Sequence, residues 1–359
     1  MPPKLPKKTK ARGKYSTKGI FQKEVFEKLN LPKEVSEVLA ETANLAIAEK
    51  TKSTYNTALK NVQKCEEELN EKLDLPWDNR ETLCFVGWCI KKDLKASTIR
   101  SYLSGIGKLH FAMGYGQLDM SPPLLKEILN GHENKHLQKP KKSKNKRLPV
   151  TVNVLRLLKA ELRNTNFSDH EKVVYWTICT TSFYGALRGS EVLSKYENFF
   201  DPTLTLCKKD VTICKSDEGK ECVQLSIKNS KTNKTGTPEL ITIYSNDSGT
   251  CPVRTVKKLM TLNKNVPQDY PFFAGEDGKP VTLKKFNAVL KKLTSLSIKG
   301  GTISSHSFRI GITSILARKG YSDQQLKLVG RWSSRAFAAY IRLKRSNREQ
   351  MAQACSKVQ

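Results

Sequence analysis

A short basic segment divides this chain into two halves of different character. Residues 137–149, LQKPKKSKNKRLP, carry six Lys or Arg residues and two prolines but no acidic residue. Such a run does not fold into a core, because its like charges repel one another and proline interrupts regular hydrogen bonding. At 359 residues the chain also exceeds the usual size of a single domain. The sequence therefore predicts two domains that are joined by a basic linker over 137–149.

The residues before this linker predict helices only. Residues 1–29 open with seven Lys or Arg residues and contain no acid before residue 21, which predicts a disordered basic arm. Residues 30–136 then place apolar side chains three and four positions apart, the spacing of one helix face. We therefore expect an all-α bundle of four or five helices over 30–136.

The residues after the linker mix helices with short strands. The stretches LTLCKKDVTICK, ECVQLSIKNS and PELITIYS alternate apolar and polar residues, as strands with one buried face do. Helical periodicity precedes and follows them. Residues 150–359 are therefore predicted to form an α+β domain in which helices flank a small antiparallel sheet. The expected fold class is multidomain, with the all-α bundle followed by this α+β domain.

Net charge is the clearest indication of a partner. The chain has 63 Lys and Arg residues against 34 Asp and Glu residues, a formal charge of +29. A charge of this size repels itself unless a polyanion neutralises it, and nucleic acid is the commonest such partner. An acidic membrane surface is the rival, but the sequence has no run of about 18 apolar residues. We therefore expect binding to double-stranded DNA and no membrane association.

The nine cysteines predict reduced thiols rather than a metal site. They form no Cys-x-x-Cys motif, and the closest group, Cys207, Cys214 and Cys222, lacks a paired histidine. Zinc sites usually show that pairing or a regular Cys spacing. We therefore expect packed thiols in an intracellular protein, with no metal and no other cofactor.

Four separated segments carry the residue types that phosphodiester cleavage needs. ALRGSE places Arg188 at the end of a strongly apolar helix, and HSFR places His306 and Arg309 one helical turn apart. The hairpin KNSKTNKTG carries Lys231, and VGRWSSRAFAAYIR carries Tyr340. Arginines suit the non-bridging oxygens of a phosphate, because the planar guanidinium donates two hydrogen bonds and never loses its charge. Arg188 and Arg309 are therefore the expected phosphate clamp.

In this order along the chain, the segments resemble the tyrosine recombinase family, also called the phage integrase family. ALRGSE, HSFRIG and VGRWSS…AAYIR are most similar to recombinases of eukaryotic mobile elements of the Crypton and DIRS types. The resemblance covers both halves, as a core-binding domain and a catalytic domain. It implies that Tyr340 is the nucleophile and forms a covalent 3′-phosphotyrosine link, without ATP. It also implies that Glu191 is the acidic residue that braces the site.

Two further roles follow from the resemblance and from side-chain chemistry. Lys231 is the expected acid for the departing 5′-oxygen, although Lys228 and Lys234 are near enough in sequence to compete. His306 either donates a hydrogen bond to the phosphate or helps to move the proton of the nucleophile.

One position departs from the family pattern. Nine residues before Tyr340, where many members have His or Trp, this chain has Arg331, and Trp332 follows it. Either the indole of Trp332 packs on the phosphate, which we favour, or Arg331 supplies a further donor. The predicted helix after Tyr340 docks either on its own subunit or on a neighbour.

The resemblance implies a site-specific DNA recombinase that acts as a tetramer, independently of metal and ATP, to mobilise a transposable element in the nucleus. The alternatives are a domesticated relative that binds DNA without cutting it, an enzyme like type IB topoisomerases, and a basic chromatin protein. Contacts to the DNA backbone are expected at Lys91, Lys92, Lys95, Arg100, Lys108, Lys141, Lys142, Lys144, Lys146 and Arg147.

Overall fold

The structure is a computed structural model, and it describes residues 26, 30–119, 122–138, 147–228, 237–298 and 300–340. The chain forms two compact units, Met1–Lys142 and Ser143–Gln359. Nearly all of the predicted basic arm, the hairpin tip with Lys231, and the tail after Tyr340 lie outside the described residues. Of the helices that are described, none has the length and apolarity needed to cross a membrane.

The first unit is a helical bundle, as predicted. Its helices are Lys33–Leu45 (α1), Glu49–Leu69 (α2), Asn79–Lys91 (α3), Ala96–Ala112 (α4) and Pro123–Gln138 (α5). Asp78 and Glu81 start α3 with a capping box, and Phe85 in the same helix has no exposed surface. Gly105 lets α4 approach α2 closely, because a Cβ there would lie 2.7 Å from the ring of Tyr55. The helical spacing thus produces a bundle with its own core.

The second unit is α+β, as predicted. Its helices are Val152–Arg163 (α6), Asp169–Tyr184 (α7), Gly189–Val192 (α8), Pro252–Leu262 (α9), Leu283–Thr294 (α10), Ser305–Arg318 (α11) and Asp323–Gly330 (α12). Its strands are Val211–Lys215 (β1), Glu221–Ile227 (β2) and Glu239–Tyr244 (β3). Short 3-10 helices over Lys208–Asp210 and Arg335–Tyr340 complete the elements that are described.

The strands form one antiparallel sheet in the order β1-β2-β3. Val223 on β2 stands between Ile213 on β1 and Ile243 on β3, and this face turns toward the core. Cys214 and Cys222 stand opposite each other, with Cα atoms 5.2 Å apart, and form a disulfide. The expectation of reduced thiols is therefore wrong for this pair, because the strand register brings the two sulfurs face to face.

α7 is the central helix of the second unit and leads the chain into the site. Residues 174–183 of this helix are all buried, since α6, α9 and α11 pack against it. Buried hydroxyl groups bind carbonyls one turn back, as Thr181 does on Thr177 at 2.7 Å. Beyond the helix end, Ala186 adopts the left-handed conformation, with φ of 46°. The helix therefore ends a few residues before Arg188.

Both ends of the predicted linker belong to folded elements. α5 extends through Gln138, two residues into the predicted range. At the other end, the backbone N–H of Leu148 donates to the Thr302 carbonyl at 2.9 Å. A connection between the units is therefore shorter than 137–149.

Candidate active site

The turn after α7 places Arg188 beside a buried carboxylate. Arg188 immediately precedes α8, so Glu191 lies one helical turn further on. The side chain of Glu191 is 1% exposed and accepts hydrogen bonds from the Arg188 backbone N–H at 2.8 Å and from its Nη1 at 2.6 Å. Since a buried carboxylate is costly unless it is paired, these contacts fix both residues. The Arg188 side chain remains 17% exposed, so an anion can approach it from solvent.

Arg309 joins this turn to the end of α12. Its Nη1 donates to the Ala186 carbonyl at 2.7 Å, and its Nη2 donates to the Gly330 carbonyl. The Trp332 ring covers the guanidinium, with its centroid 4.1 Å from Cζ, and the missing Cβ of Gly330 makes room for this ring. Arg309 has no exposed surface. A phosphate therefore reaches it only after a neighbouring group moves, a condition that the sequence did not indicate.

Arg331 lies inside the site and contacts protein groups. It adopts the left-handed conformation at the end of α12, with φ of 54°. Its Nη2 donates to Oε2 of Glu191 at 2.8 Å, and its Nη1 donates to the Gly185 carbonyl at 3.1 Å. Of the two candidates for the position nine residues before the predicted nucleophile, Arg331 thus contacts Glu191 and Trp332 contacts Arg309.

His306 stands in the first turn of α11, where its surroundings favour the neutral ring. Burial, the largest cause, and three positive charges together lower the pKa of His306 to about 4. The three charges are those of Arg147, Arg309 and Arg188. At neutral pH the imidazole is therefore uncharged, and one of its nitrogens can accept a proton.

Lys228 is a structural lysine. Its Nζ lies 2.5 Å from the buried carboxylate of Asp210 and donates to the Pro202 carbonyl at 2.8 Å. Lys231 and Lys234 follow in the connection between β2 and β3, outside the described residues. The ion pair of Lys228 makes it a poor proton donor for a substrate, so Lys231 and Lys234 stay the candidates for the acid.

Tyr340 is described only as backbone, at the end of the 3-10 helix that packs against α11 and α12. Phe337 in the same helix is fully buried and touches the Trp332 ring, with centroids 5.9 Å apart. The Tyr340 hydroxyl lies outside what is described, so its role as nucleophile stays a prediction.

Two of the predicted DNA contacts in the first unit are already paired with acids. Lys92 lies 2.7 Å from Glu68, and Arg100 lies 3.2 Å from Glu133. In each pair, the carboxylate competes with a phosphate for the same cation. Of the other candidates, Lys91, Lys95 and Arg147 are exposed and Lys108 is half-buried. The remaining candidates, Lys141, Lys142, Lys144 and Lys146, lie outside the described residues.

The second unit thus collects predicted site residues from three segments: Arg188, Glu191, His306, Arg309, Arg331 and Trp332. Among the described residues, no group of three His, Cys, Asp or Glu side chains could hold a metal ion. The cluster sets the guanidinium groups of Arg188, Arg309 and Arg331 against the one carboxylate of Glu191, so its net charge is positive and suits an anionic ligand.

Similar proteins are found among solved structures. No protein-family model matches the sequence, and no curated protein is significantly similar to it. The XerH site-specific recombinase bound to palindromic difH substrate is 15% identical, with a TM-score of 0.58 over 93% of this chain and 88% of that chain. The Tn1549 transposon integrase in complex with transposon right end DNA is 12% identical, with a TM-score of 0.54 over 93% of this chain and 99% of that chain. A lambda integrase dimer bound to a COC′ core site is 14% identical, with a TM-score of 0.52 over 89% of this chain and 94% of that chain.

The chain has the tyrosine recombinase fold. This confirms the predicted fold class, a helical core-binding unit followed by an α+β unit with a small antiparallel sheet. Within this fold, the cluster of predicted site residues lies where α7, α11 and α12 meet.

Nothing in the sequence indicated that three further residues lie at this site. Arg147, predicted as a DNA contact of the linker, is close enough to lower the pKa of His306. Asn287 on α10 accepts a hydrogen bond from the first backbone N–H of α11 at 2.8 Å and fixes the start of that helix. Glu239 lies 3.6 Å from Nε of Arg331. Each contact joins segments that are distant in sequence, so only the fold reveals it.

Proposed function

We propose that this protein is a site-specific DNA recombinase, which cleaves and rejoins DNA through a covalent 3′-phosphotyrosine intermediate. One observation carries the proposal: Arg188, His306 and Arg309, which the sequence assigned to one phosphate, lie together beside the turn after α7. The fold supports it, since the similar XerH and Tn1549 proteins are a site-specific recombinase and a transposon integrase bound to DNA.

The arginine cluster suits the charge that develops during cleavage. In-line attack on a phosphodiester concentrates negative charge on the non-bridging oxygens, and fixed positive groups lower the energy of that state. Arg188 is partly exposed and can bind the phosphate first. Arg309 joins it when the indole of Trp332 moves from its guanidinium. The two cations then perform the electrostatic part of the reaction.

The proposed chemistry exchanges one phosphodiester for another. The phenol oxygen of Tyr340 bonds to phosphorus while the bond from phosphorus to the 5′-oxygen breaks. The neutral imidazole of His306 accepts the phenol proton, and the ammonium group of Lys231 gives a proton to the departing oxygen. A 5′-hydroxyl from another strand reverses these steps. Since the phosphotyrosine link is itself a phosphodiester, joining needs neither ATP nor a metal in this scheme.

Lys231 and Lys228 differ in their proposed roles, and two substitutions separate them. Lys231→Met should abolish cleavage without loss of stability, whereas Lys228→Met should destabilise the second unit, because it leaves the Asp210 carboxylate buried with its cation removed. A substrate with sulfur at the 5′-bridging position needs no acid, because a thiolate leaves readily. That substrate should restore cleavage by Lys231→Met but not by Tyr340→Phe.

The wider setting is part of the same proposal. Double-stranded DNA is the partner, since the net charge of +29 suits a polyanion. We infer a tetramer on paired sites, a nuclear location and the mobilisation of a transposable element, from the resemblance to recombinases of Crypton and DIRS elements.

A test that needs no knowledge of the target uses a pool of nicked duplexes with randomised cores. Cleavage beside the nick releases a short strand, so the covalent adduct accumulates and survives denaturation. Sequencing the trapped DNA should give a target site, and mass spectrometry should find the linked peptide at Tyr340. Tyr340→Phe should bind the pool without forming an adduct.

The products distinguish this proposal from its alternatives. Two duplexes that carry the recovered site should give recombinant junctions if the protein is a recombinase. Relaxation of supercoiled plasmid without junctions would indicate an enzyme like type IB topoisomerases. DNA binding without any adduct would indicate a silent DNA-binding or chromatin protein and refute the proposal.

A further inference from the structure

Arg331 contacts the candidate active site through both its side chain and its backbone. Its Nη1 donates to the Gly185 carbonyl at 3.1 Å, and its Nη2 donates to Oε2 of Glu191 at 2.8 Å and to the Ala186 carbonyl at 3.4 Å. Its own carbonyl accepts a hydrogen bond from Nη2 of Arg188 at 3.3 Å. The side chain is 10% exposed. The donors of Arg331 are therefore directed at protein acceptors.

Glu191 makes the orientation of Arg188 depend on Arg331. Its Oε1 accepts from the Arg188 guanidinium, and its Oε2 accepts from Nη2 of Arg331 and from the Arg188 backbone N–H. The carboxylate thus stands between two guanidinium groups and reduces their repulsion. Removing Arg331 would leave Oε2 with one of its two donors and loosen the residue that holds Arg188.

Glu239 extends the network to the sheet. Its Oε2 lies 3.6 Å from Nε of Arg331. Glu239 is the first residue of β3 and pairs with Ile227, the last residue of β2, so it stands at one end of the connection that carries Lys231. The other end is held by Lys228 through its ion pair with a buried aspartate. Both ends of this connection are therefore anchored.

We propose that Arg331 is a positioning residue, which ties the phosphate-binding arginine turn to the strand that follows the catalytic lysine. This rests on the proposed function, since it takes Arg188 and Lys231 as parts of one site. Arg331 is not a ligand of the phosphate in this proposal. To become one, it would have to abandon the buried Glu191 carboxylate, whose loss of a partner is unfavourable.

Hydrogen exchange tests the link without any catalytic activity. In the full-length protein, Arg331→Gln should speed exchange about tenfold or more in peptide 185–192, because a charge-assisted hydrogen bond to Glu191 is lost. In peptide 237–242 it should speed exchange about 2- to 5-fold, because only an ion pair with Glu239 is lost. Glu239→Gln should affect the second peptide only, since Arg331 keeps its contact with Glu191. Arg335→Gln is the matched control: it breaks an exposed ion pair with Asp323 and should change neither peptide.

Cleavage then separates positioning from phosphate binding. The substrate is the target duplex identified by the adduct-trapping experiment. On this duplex, Arg331→Gln should form the covalent adduct about 100-fold more slowly while binding DNA normally, because a misplaced catalytic group costs about this factor. Glu239→Gln should slow it about 2- to 5-fold, as expected for a half-exposed pair. Arg331→Lys should rescue little, because one ammonium group cannot replace the planar fork.

A double-mutant cycle supplies the decisive comparison, because a residue that acts through Arg188 loses its effect when the Arg188 side chain is gone. If Arg331 positions Arg188, Arg331→Gln should slow adduct formation much less in the Arg188→Ala background than in the wild-type protein. If Arg331 binds the phosphate itself, its removal should slow adduct formation by the same factor in both backgrounds. That result would overturn the proposal.

The two proposals fail in different ways. If the wild-type protein forms no adduct, the proposed function fails, while faster exchange in both peptides of Arg331→Gln would still establish the link. If Arg331→Gln leaves either peptide unchanged, the link is refuted even in an active enzyme.

Discussion

His306 should take up a proton only well below the pH at which a free imidazole does. Burial, as the largest cause, and the positive charges of Arg147, Arg309 and Arg188 together lower its pKa to about 4. At pH 5.5 a free histidine is about 90% protonated, whereas a group with a pKa of about 4 is about 3% protonated. At this pH the second unit therefore takes up almost one proton at His306 when it unfolds.

This proton uptake gives the stability a defined pH dependence. Because the unfolded state binds the extra proton, the free energy of unfolding rises with pH between about 4 and 6.5. The difference in pKa corresponds to about 3 kcal/mol, present above pH 6.5 and lost as the pH falls toward 4. His306→Gln cannot titrate. The difference in unfolding free energy between wild type and His306→Gln should therefore grow by about 3 kcal/mol from pH 4 to pH 7.

The titration can be measured by NMR after labelling the five histidines with ¹³C. The signal that is missing in His306→Gln identifies the ring, and its shift against pH gives the pKa directly. Adding duplex DNA should raise this pKa, because a phosphate near the ring stabilises the charged form. A midpoint near 6.5 in the free protein, with no change on adding DNA, would refute both the burial of the ring and its place beside the phosphate.

Three further outcomes are expected. Lys208→Met should lower the free energy of unfolding by about 2 kcal/mol in a urea titration, because Nζ of Lys208 donates to three carbonyls after α9 at 2.9 Å each. The control Lys209→Met removes only an exposed ion pair and should lower it by less than about 1 kcal/mol. Gly311→Ala should lower the free energy of unfolding by about 3 kcal/mol or more, because its Cβ would overlap the Val150 carbonyl. Gly131→Ala, in open space on α5, should leave this free energy unchanged or raise it by up to about 1 kcal/mol. Thermal unfolding of both variants measures the difference. DNA affinity should fall about 10³-fold or more between about 50 and 200 mM salt if about six phosphates are contacted, as a fluorescence anisotropy titration would show.

The parts of the fold that the sequence predicted depend on patterns of a few residues. Three alternating stretches form the three strands of the sheet, and the apolar run before Arg188 forms α7. The convergence of Arg188, His306 and Arg309 was also expected, because phosphate chemistry requires cations to converge whatever their distance along the chain, and the three side chains lie near the turn after α7.

The parts that could not be predicted depend on contacts between distant segments. The residue type of Arg309 suits a phosphate whether it is exposed or buried, and its burial follows from the position of the Trp332 ring. The inward orientation of Arg331 follows from its left-handed backbone and from Glu191, 140 residues away. No local period encodes such contacts. The pairing of Arg100 with an acid on α5 has the same origin.

A cluster of guanidinium groups without a bound anion must find negative charge elsewhere, and the ends of two helices supply part of it. Ala186, just beyond α7, accepts from Arg309 and Arg331. Gly330, the last residue of α12, accepts from Arg309. Carbonyls at a helix C-terminus carry about half a negative charge in total. Together with the Glu191 carboxylate, they let the site assemble during folding, before any DNA arrives.

The carbonyls that hold the cluster also decide how a phosphate can enter it. An entering phosphate competes for the same N–H donors, and only a partly exposed donor can exchange partners without prior movement. Arg188 meets this condition and Arg309 does not. Phenylglyoxal should therefore modify Arg188 much faster than Arg309 in the free protein, as peptide masses would show. Trp332→Ala should remove most of that difference by uncovering Arg309. Equal rates in the wild-type protein would show that the indole does not control access.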